Sequence, residues 1–409
     1  MHSMITTHRV RAFTPLSPAA IAKLETASGN GTNCRFEFSD DIANCDTAVM
    51  RTMDFNVDEF PNLKLIVRAG TEANKIVGNR VVNGEACVQM TLGANSDSVA
   101  QEVLFAVIGL SRQFHRGDAF VRTQLDYSLP KKDFETGEEG FETMKSKMVG
   151  RELSSLTVGV IGVGQIGIRV IQMLLLLGVR VIAHDTNRRS PLYRLLPPSV
   201  ERANTVDQLL EKSDFVTVHT PGENNQHLIS AARLAKMRKG AGLINCARGE
   251  VCDSVAILSA LNEGKLGGYF TDFPDQKLPP HPLIMCQPHE GGNTKEAQAR
   301  CGDLAADQII DFYKQGNVWS PKNWPENVLE PSSAAVMRVT VPHRNQDGVL
   351  AQIEPIIAVG PRVNISNTHT STNTQFGYYI ADCDQPVSAE KIARIRAITG
   401  VIDVMTFTF

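Results

Sequence analysis

The sequence predicts an α/β protein: a doubly wound parallel sheet inserted in a second, smaller α/β unit, with a βαββαβ tail. Three observations predict it. Between residues 157 and 288, apolar strands and helices alternate at least six times ("VGVIG", "IRVIQMLLLLG", "VRVIAHD", "VDQLLEKS", "DFVTVHT", "SAARLAKMRKG", "AGLINCA"). Such alternation requires a parallel sheet wrapped by helices through right-handed crossovers. A glycine pattern, "GVGQIG", follows the first of these strands and opens a helix. The end of the chain reads strand, helix, two strands, helix, strand: "MRVTVPHR", "GVLAQIEPIIAV", "VNISNTHTST", "FGYYIADCD", "SAEKIARIRAIT", "VIDVMTFTF". That order spells a ferredoxin-like sandwich.

Taken along the chain, "SPAAIAKLETAS", "TAVMRTM" and "LKLIVRAG" alternate helix with short apolar runs, a flavodoxin-like α/β substrate domain expected over residues 1–99 and again over 300–328. In "SDSVAQEVLFAVIGLSRQF" Val99, Val103, Leu104, Val107 and Leu110 recur at helical spacing and lead into a Rossmann-type domain expected over 100–299. Residues 118–153, rich in charge and glycine, read as a solvated loop and arm. "TKEAQARCGDLAADQIIDFYKQG" is a long helix returning the chain to the first domain. Residues 317–335 hold three prolines without periodicity and read as a linker, so the tail, 336–409, is expected to fold separately.

Composition narrows the function classes. With 409 residues, 42% hydrophobic, 21% charged and a net charge of −3, the chain is globular. That charge and the absence of any run of like charges argue against the clustered basic face that nucleic acid requires, so no nucleic-acid partner is expected. Its eight cysteines are scattered, with no CxxC pair, and read as reduced thiols rather than a metal site. "MHSMITTHRV" lacks an apolar leader core, and Gly178 and Arg180 break the strongest apolar run, "VIQMLLLLGVRVIA", short of a bilayer span. No membrane is expected; the cytoplasm and small-molecule partners are.

In the strand-turn-helix setting Gly162 makes the tight turn, Gly164 admits a pyrophosphate and Gly167 lets helix and strand pack, with the helix N-terminus toward the anion. Asp185 stands eighteen residues past Gly167, where a carboxylate binds a ribose hydroxyl. NAD is therefore the expected cofactor. Arg188 and Arg189 keep NADP open, and Asp185 as a solvated strand end is the structural alternative.

Two further strand ends carry chemistry. Arg248 in "NCARGE" can clamp a carboxylate through two hydrogen bonds, and His289 in "QPHEGGNTKEAQ" can exchange a proton with a hydroxyl. Ligands bind outside the carboxyl ends of such strands, so both point to oxidation of a 2-hydroxy acid.

With "GVGQIG", "HTP", "NCARGE" and "QPHEGGNTKEAQ" in that order, the chain resembles the D-isomer-specific 2-hydroxyacid dehydrogenases. "VMRTM", "VRAGTEANKI", "LGANSDSVAQEV" and the tail extend the likeness to members that act on phosphoglycerate and carry an ACT regulatory domain. The resemblance implies that His289 is the proton donor and acceptor and Arg248 the carboxylate ligand. It implies cofactor contacts at Gln165, Ile166, Asp185, Cys246, Ala247, Arg248, Asp272, His289, Gly291 and Gly292. Arg51 and Arg68 match arginines near the substrate phosphate, and backbone amides around Ala69 and Gly70 are expected to add anion contacts. Surface arginines are the alternative reading of the two.

One departure stands out. Asp272 falls twenty-four residues after Arg248, as the family pattern asks, but the family's catalytic glutamate falls at Gln276 and Lys277. Asp275, one residue earlier, is the preferred replacement. An imidazole working without a full carboxylate, and a cofactor sensor without turnover, are the alternatives. His219 matches an adenine-side position, or is a hydrogen-bonded structural histidine. The substrate implied is 3-phospho-D-glycerate, at the entry to serine synthesis. The resemblance further implies an amino-acid effector such as serine on the tail, at "RNQDGVLAQI", and a homodimer or homotetramer.

Overall fold

The computed structural model describes residues 6–28, 34–358 and 363–409. The first five residues of the N-terminal stretch read for a leader lie outside them. The chain divides into two compact units, Met1–Ala94 with Gln298–Phe409, and Asn95–Ala297.

The second unit is a seven-stranded parallel sheet. Its order is 201–202, 180–184, 157–161, 215–218, 241–245, 266–271, 284–286. This is the doubly wound Rossmann order, in which the direction of winding reverses between the strand at 157–161 and that at 215–218. Strand residues alternate between two cores. Val158, Val160 and Val181 face the helices Ser96–Ser111 and Gln165–Leu176 through Val103, Val107, Val170 and Leu174. Ile161, Ile182, Val216 and Val218 face Leu209, Leu210, Leu234 and Ile257 on the other side. Residues 118–153, expected as a loop, instead include the end of the helix Phe114–Thr123 and two short helices, Lys131–Thr136 and Phe141–Ser146. Phe134 stacks edge-on with Phe141 and against Tyr127, so aromatic contacts fold the charge-rich arm on itself.

The first unit holds a five-stranded parallel sheet in the order 34–38, 6–12, 47–50, 65–68, 87–90, the flavodoxin-like arrangement. The tail adds a four-stranded antiparallel sheet, 365–372, 376–383, 337–344, 405–408. Period-2 alternation in the strand Phe376–Cys383 explains its place. Tyr379, Ala381 and Cys383 face the tail's own helices, Val349–Ala358 and Ala389–Arg396, across a core with Ile353 and Ile392. Phe376, Tyr378 and Ile380 join the core of the parallel domain with Val10, Leu24, Val49, Phe312 and Trp324.

The tail therefore shares a core with the five-stranded sheet instead of folding apart, and the stretch expected as a linker is a clasp. Asn317, Val318, Trp324 and Asn327 are almost wholly buried. Val318 and Asn327 exchange backbone hydrogen bonds, and Asn327 Nδ2 donates to the Tyr378 carbonyl at 2.8 Å. The prolines stop regular structure without stopping burial. Inside the clasp Arg338 and Asp382, both fully buried, pair at 2.6 and 3.0 Å. Arg338 Nη1 also donates to the carbonyls of Leu329 (2.8 Å) and Gln315 (3.0 Å).

Candidate active site

At the winding reversal the turn after the strand Thr157–Ile161 is shaped by glycine. Gly162 has φ +92°, and a Cβ there would lie 2.5 Å from the His219 carbonyl oxygen. A side chain on Gly167 would run into the Gly162 carbonyl, whereas the space over Gly164 is open. Gly164 is also the N-cap, so no side chain satisfies the first amides of the helix begun by Gln165 and Ile166. Those free donors suit an anion. Asp185 closes the turn: its Oδ2 accepts the Val163 N–H at 2.7 Å and its Oδ1 the Asn187 N–H at 2.7 Å. Arg188 is held by Asn204, at 3.2 Å to its side-chain oxygen, rather than turned toward a second phosphate.

His219 follows the neighbouring strand. Its Nε2 meets Thr217 Oγ1 at 2.9 Å, and burial pushes the imidazole down to about 3, so it is neutral. Its Nδ1, and the hydroxyl of Thr220, are buried without a hydrogen-bond partner. Two orphaned polar atoms beside an open glycine turn are what a dinucleotide would satisfy. The residues present thus fit NAD, which the Gly162–Gly167 turn, Asp185 and the strand end at His219 would hold.

Arg248 and His289 lie beyond the ends of the strands Ala241–Asn245 and Ile284–Cys286, which flank the strand Leu266–Thr271. The buried Asn245 shapes the first loop: its Oδ1 accepts the Ala247 N–H at 3.1 Å and its Nδ2 donates to the Arg248 carbonyl at 2.8 Å. Arg248 Nη1 donates to the Ala247 carbonyl. His289 has φ +61°, a left-handed conformation that costs energy in a side-chain-bearing residue and turns the exposed ring outward. Phe273 stands between the loops. Its ring centroid is 4.8 Å from that of His289, and a Cβ on Gly249, next to Arg248, would be 3.5 Å from its Cβ.

Three expectations are corrected by this geometry. Asp275 does not meet His289. Its Oδ1 accepts the Lys277 N–H at 3.0 Å, and that bond, with a second from Ser254, holds its carboxyl below the usual range. Gln276 and Lys277 are exposed, and among the described residues no carboxylate forms an ion pair with the His289 ring. Asp272, expected at the nicotinamide, is 2% exposed and spends both oxygens on backbone, accepting from Glu290 (2.7 Å) and Gly291 (2.9 Å). It holds the His289 turn from beneath. Gly291 is consumed the same way, since its carbonyl accepts from Ser98 Oγ at 2.6 Å. Gly292 is packed against Asn95, whose Nδ2 would lie 2.9 Å from an added Cβ, and the Cys246 thiol is buried.

In the other unit Arg51 and Arg68 follow or end two adjacent strands. Met50 and Arg68 are register partners on adjacent parallel strands, so Arg68 and Arg51, the residue after Met50, both stand half-buried at the C-terminal ends of those strands. The amides of Ala69 and Gly70 are not anion donors as expected, because they give their N–H groups to Met50 and Arg68 carbonyls, both at 2.8 Å. Arg68 Nη1 folds over this turn to the Ala69 carbonyl at 2.9 Å. Sequence reasoning missed Phe273, Ser98 and Glu102. An aromatic right after Asp272 and two polar residues on one face of a core helix are the signals that carried them.

Fold and site define a nucleotide-binding oxidoreductase with an arginine and a histidine on neighbouring crossovers. The family description "D-isomer specific 2-hydroxyacid dehydrogenase, NAD binding domain" matches residues 104–291. A D-3-phosphoglycerate dehydrogenase of Dictyostelium discoideum is 31% identical over 320 residues, covering 75% of this chain and 72% of the relative. A glyoxylate reductase of Thermofilum pendens is 32% identical over 266 residues, 63% of this chain and 74% of the relative. Among solved structures, the NAD-complexed D-isomer specific 2-hydroxyacid dehydrogenase of Lactobacillus delbrueckii ssp. bulgaricus shares the fold, with a TM-score of 0.61 and 22% identity over 78% of this chain and all of that one. The chain belongs to the D-isomer specific 2-hydroxyacid dehydrogenases, NAD-dependent oxidoreductases.

Proposed function

We propose that the chain oxidises 3-phospho-D-glycerate to 3-phosphohydroxypyruvate with NAD, the first step of L-serine biosynthesis. The observation that carries this choice is that Arg51 and Arg68 both stand at the C-terminal ends of adjacent parallel strands in the substrate unit. A phosphate dianion needs cationic ligands that lactate or glycerate does not. The Dictyostelium relative supports it; the glyoxylate reductase favours a smaller substrate.

In this reading Arg248 holds the substrate carboxylate, and Arg68 with Arg51 the phosphate. His289 takes the hydroxyl proton at its exposed ring and returns it to solvent, with no carboxylate relay behind it. Phe273 limits the ring's freedom on one side, and Asp272 with Ser98 fixes the backbone that presents it. Bound NAD supplies the hydride acceptor. The tail would take an amino-acid effector such as serine where Gly348, at φ +78°, turns the chain into the helix Val349–Ala358, in a homodimer or homotetramer acting in the cytoplasm.

The test is NADH formation from 3-phosphoglycerate, D-glycerate and D-lactate, beside NADH consumption with glyoxylate. The reading expects kcat/KM for phosphoglycerate to lead by about tenfold or more, the worth of one well-placed ion pair. A lead for glyoxylate, or Arg51→Gln and Arg68→Gln variants that discriminate as the wild type does, contradicts it.

A further inference from the structure

Two carboxyl groups meet beneath the turn that carries His289. Asp272, buried at the end of the strand Leu266–Thr271, accepts the backbone N–H groups of Glu290 and Gly291. Glu102, in the second turn of the helix Ser96–Ser111, comes from the other side. A side chain on Gly291 would run into Glu102 Oε2 and lie 3.0 Å from Asp272 Oδ2, so both oxygens press on one α-carbon. Glu102 Oε2 is buried, and no N–H donates to it. Within its reach lie the Asp272 carboxyl and the Cys246 thiol, a weak donor.

A buried carboxylate and a half-buried one side by side repel, and one proton between them removes the conflict. Asp272 is committed as an acceptor on both oxygens, so the proton belongs on Glu102, which then has a hydrogen to donate. We propose that Glu102 is a positioning residue that shares a proton with Asp272, and that this proton keeps the Glu290–Gly291 backbone, and with it the His289 ring, in place. When the proton leaves, two negative charges flank Gly291 and the turn loosens.

The other groups facing the pair agree with this. Cys246, at the end of the strand Ala241–Asn245, is a buried thiol whose own ionisation both carboxyls oppose. Glu290 adds a like charge from the turn, and Cys286 faces Asp272 from the edge strand. Arg169, on the helix packed against that of Glu102, is taken by Asp97 at 2.8 Å. Burial first, and the Asp272 charge second, push the Glu102 carboxyl up to about 7.

The inference rests on His289 as the proton carrier, so it is tested with and without turnover. In the oxidising direction kcat of the wild type should fall above about pH 7 as Glu102 ionises. Glu102→Gln, which keeps the neutral shape, should lack that fall. Independently, amide hydrogen exchange at Glu290 and Gly291 in the wild-type holoenzyme should accelerate above neutral pH beyond the ordinary base-catalysed trend, and in Glu102→Gln it should follow the trend. A falling limb common to both proteins, or exchange in the wild type that only follows the trend, overturns the role of Glu102. Exchange that behaves as expected beside an absent kcat limb retains the shared proton and the braced turn, and overturns the link to His289.

Discussion

Removing the Arg338 guanidinium should unfold the unit of residues 1–94 and 298–409 selectively. In Arg338→Leu the Asp382 carboxylate, fully buried, keeps only the Ser332 N–H at 2.9 Å, and the carbonyls of Leu329 and Gln315 lose their shared donor. Breaking a buried ion pair from one side costs about 3–5 kcal/mol, because the remaining charge is stranded. At a urea slope of about 2–3 kcal/mol/M that lowers the midpoint by about 1–2.5 M. The assay is intrinsic fluorescence, since both tryptophans, Trp319 and Trp324, lie in this unit and report its unfolding rather than that of 95–297. The double change Arg338→Met with Asp382→Leu should recover most of the loss, because apolar groups of similar size replace a buried pair with little cost. A single variant that loses less than about 1 kcal/mol would place the pair among exposed bridges and refute the clasp. So would a double variant no better than the single.

Four further outcomes follow from the site. Gly167→Ala should lower both stability, by about 1–3 kcal/mol, and NAD affinity, whereas Gly164→Ala should lower affinity alone, read by thermal unfolding and titration calorimetry. Asp185→Ala, which releases the Val163 N–H, should raise the NAD Kd about tenfold or more. Arg68→Gln should raise KM for phosphoglycerate about tenfold or more while leaving unphosphorylated 2-hydroxy acids little changed. Stability should also follow Glu102. Its folded value lies above the ordinary 4.5, so the fold favours the neutral carboxyl, and that contribution is present at low pH and lost as pH rises toward about 7. Glu102→Gln should flatten this stretch of the stability–pH curve.

Much of the cofactor half was legible in the chain. Alternating runs dictate a wound sheet, and the requirement for glycine at Gly162, Gly164 and Gly167 is local, set by a turn, an open surface and a close packing contact. Asp185 was legible for the same reason, since its distance from the turn is fixed by one helix and one strand. What failed was direction. Asp272 and Asp275 are three residues apart, and nothing local shows that the first is drawn inward by two amides from a loop eighteen residues on while the second folds onto Lys277. Ala69 and Gly70 look like an anion turn until the carbonyls of Met50 and Arg68 claim their N–H groups. The clasp was hidden because proline content describes the backbone, whereas the burial of Trp324 and Asn327 depends on a sheet formed far along the chain. Glu102 looked like the polar side of an amphipathic helix; only the loop above it gives it a role.

The most direct test compares wild type with His289→Gln, measuring NADH binding and NADH formation on the same preparations. The account predicts that binding persists while turnover drops by about 10²–10⁴-fold, the span that a positioned proton carrier contributes. A variant that turns over within about tenfold of the wild type would show that the proton leaves by another group and that the exposed ring is not the centre of the reaction.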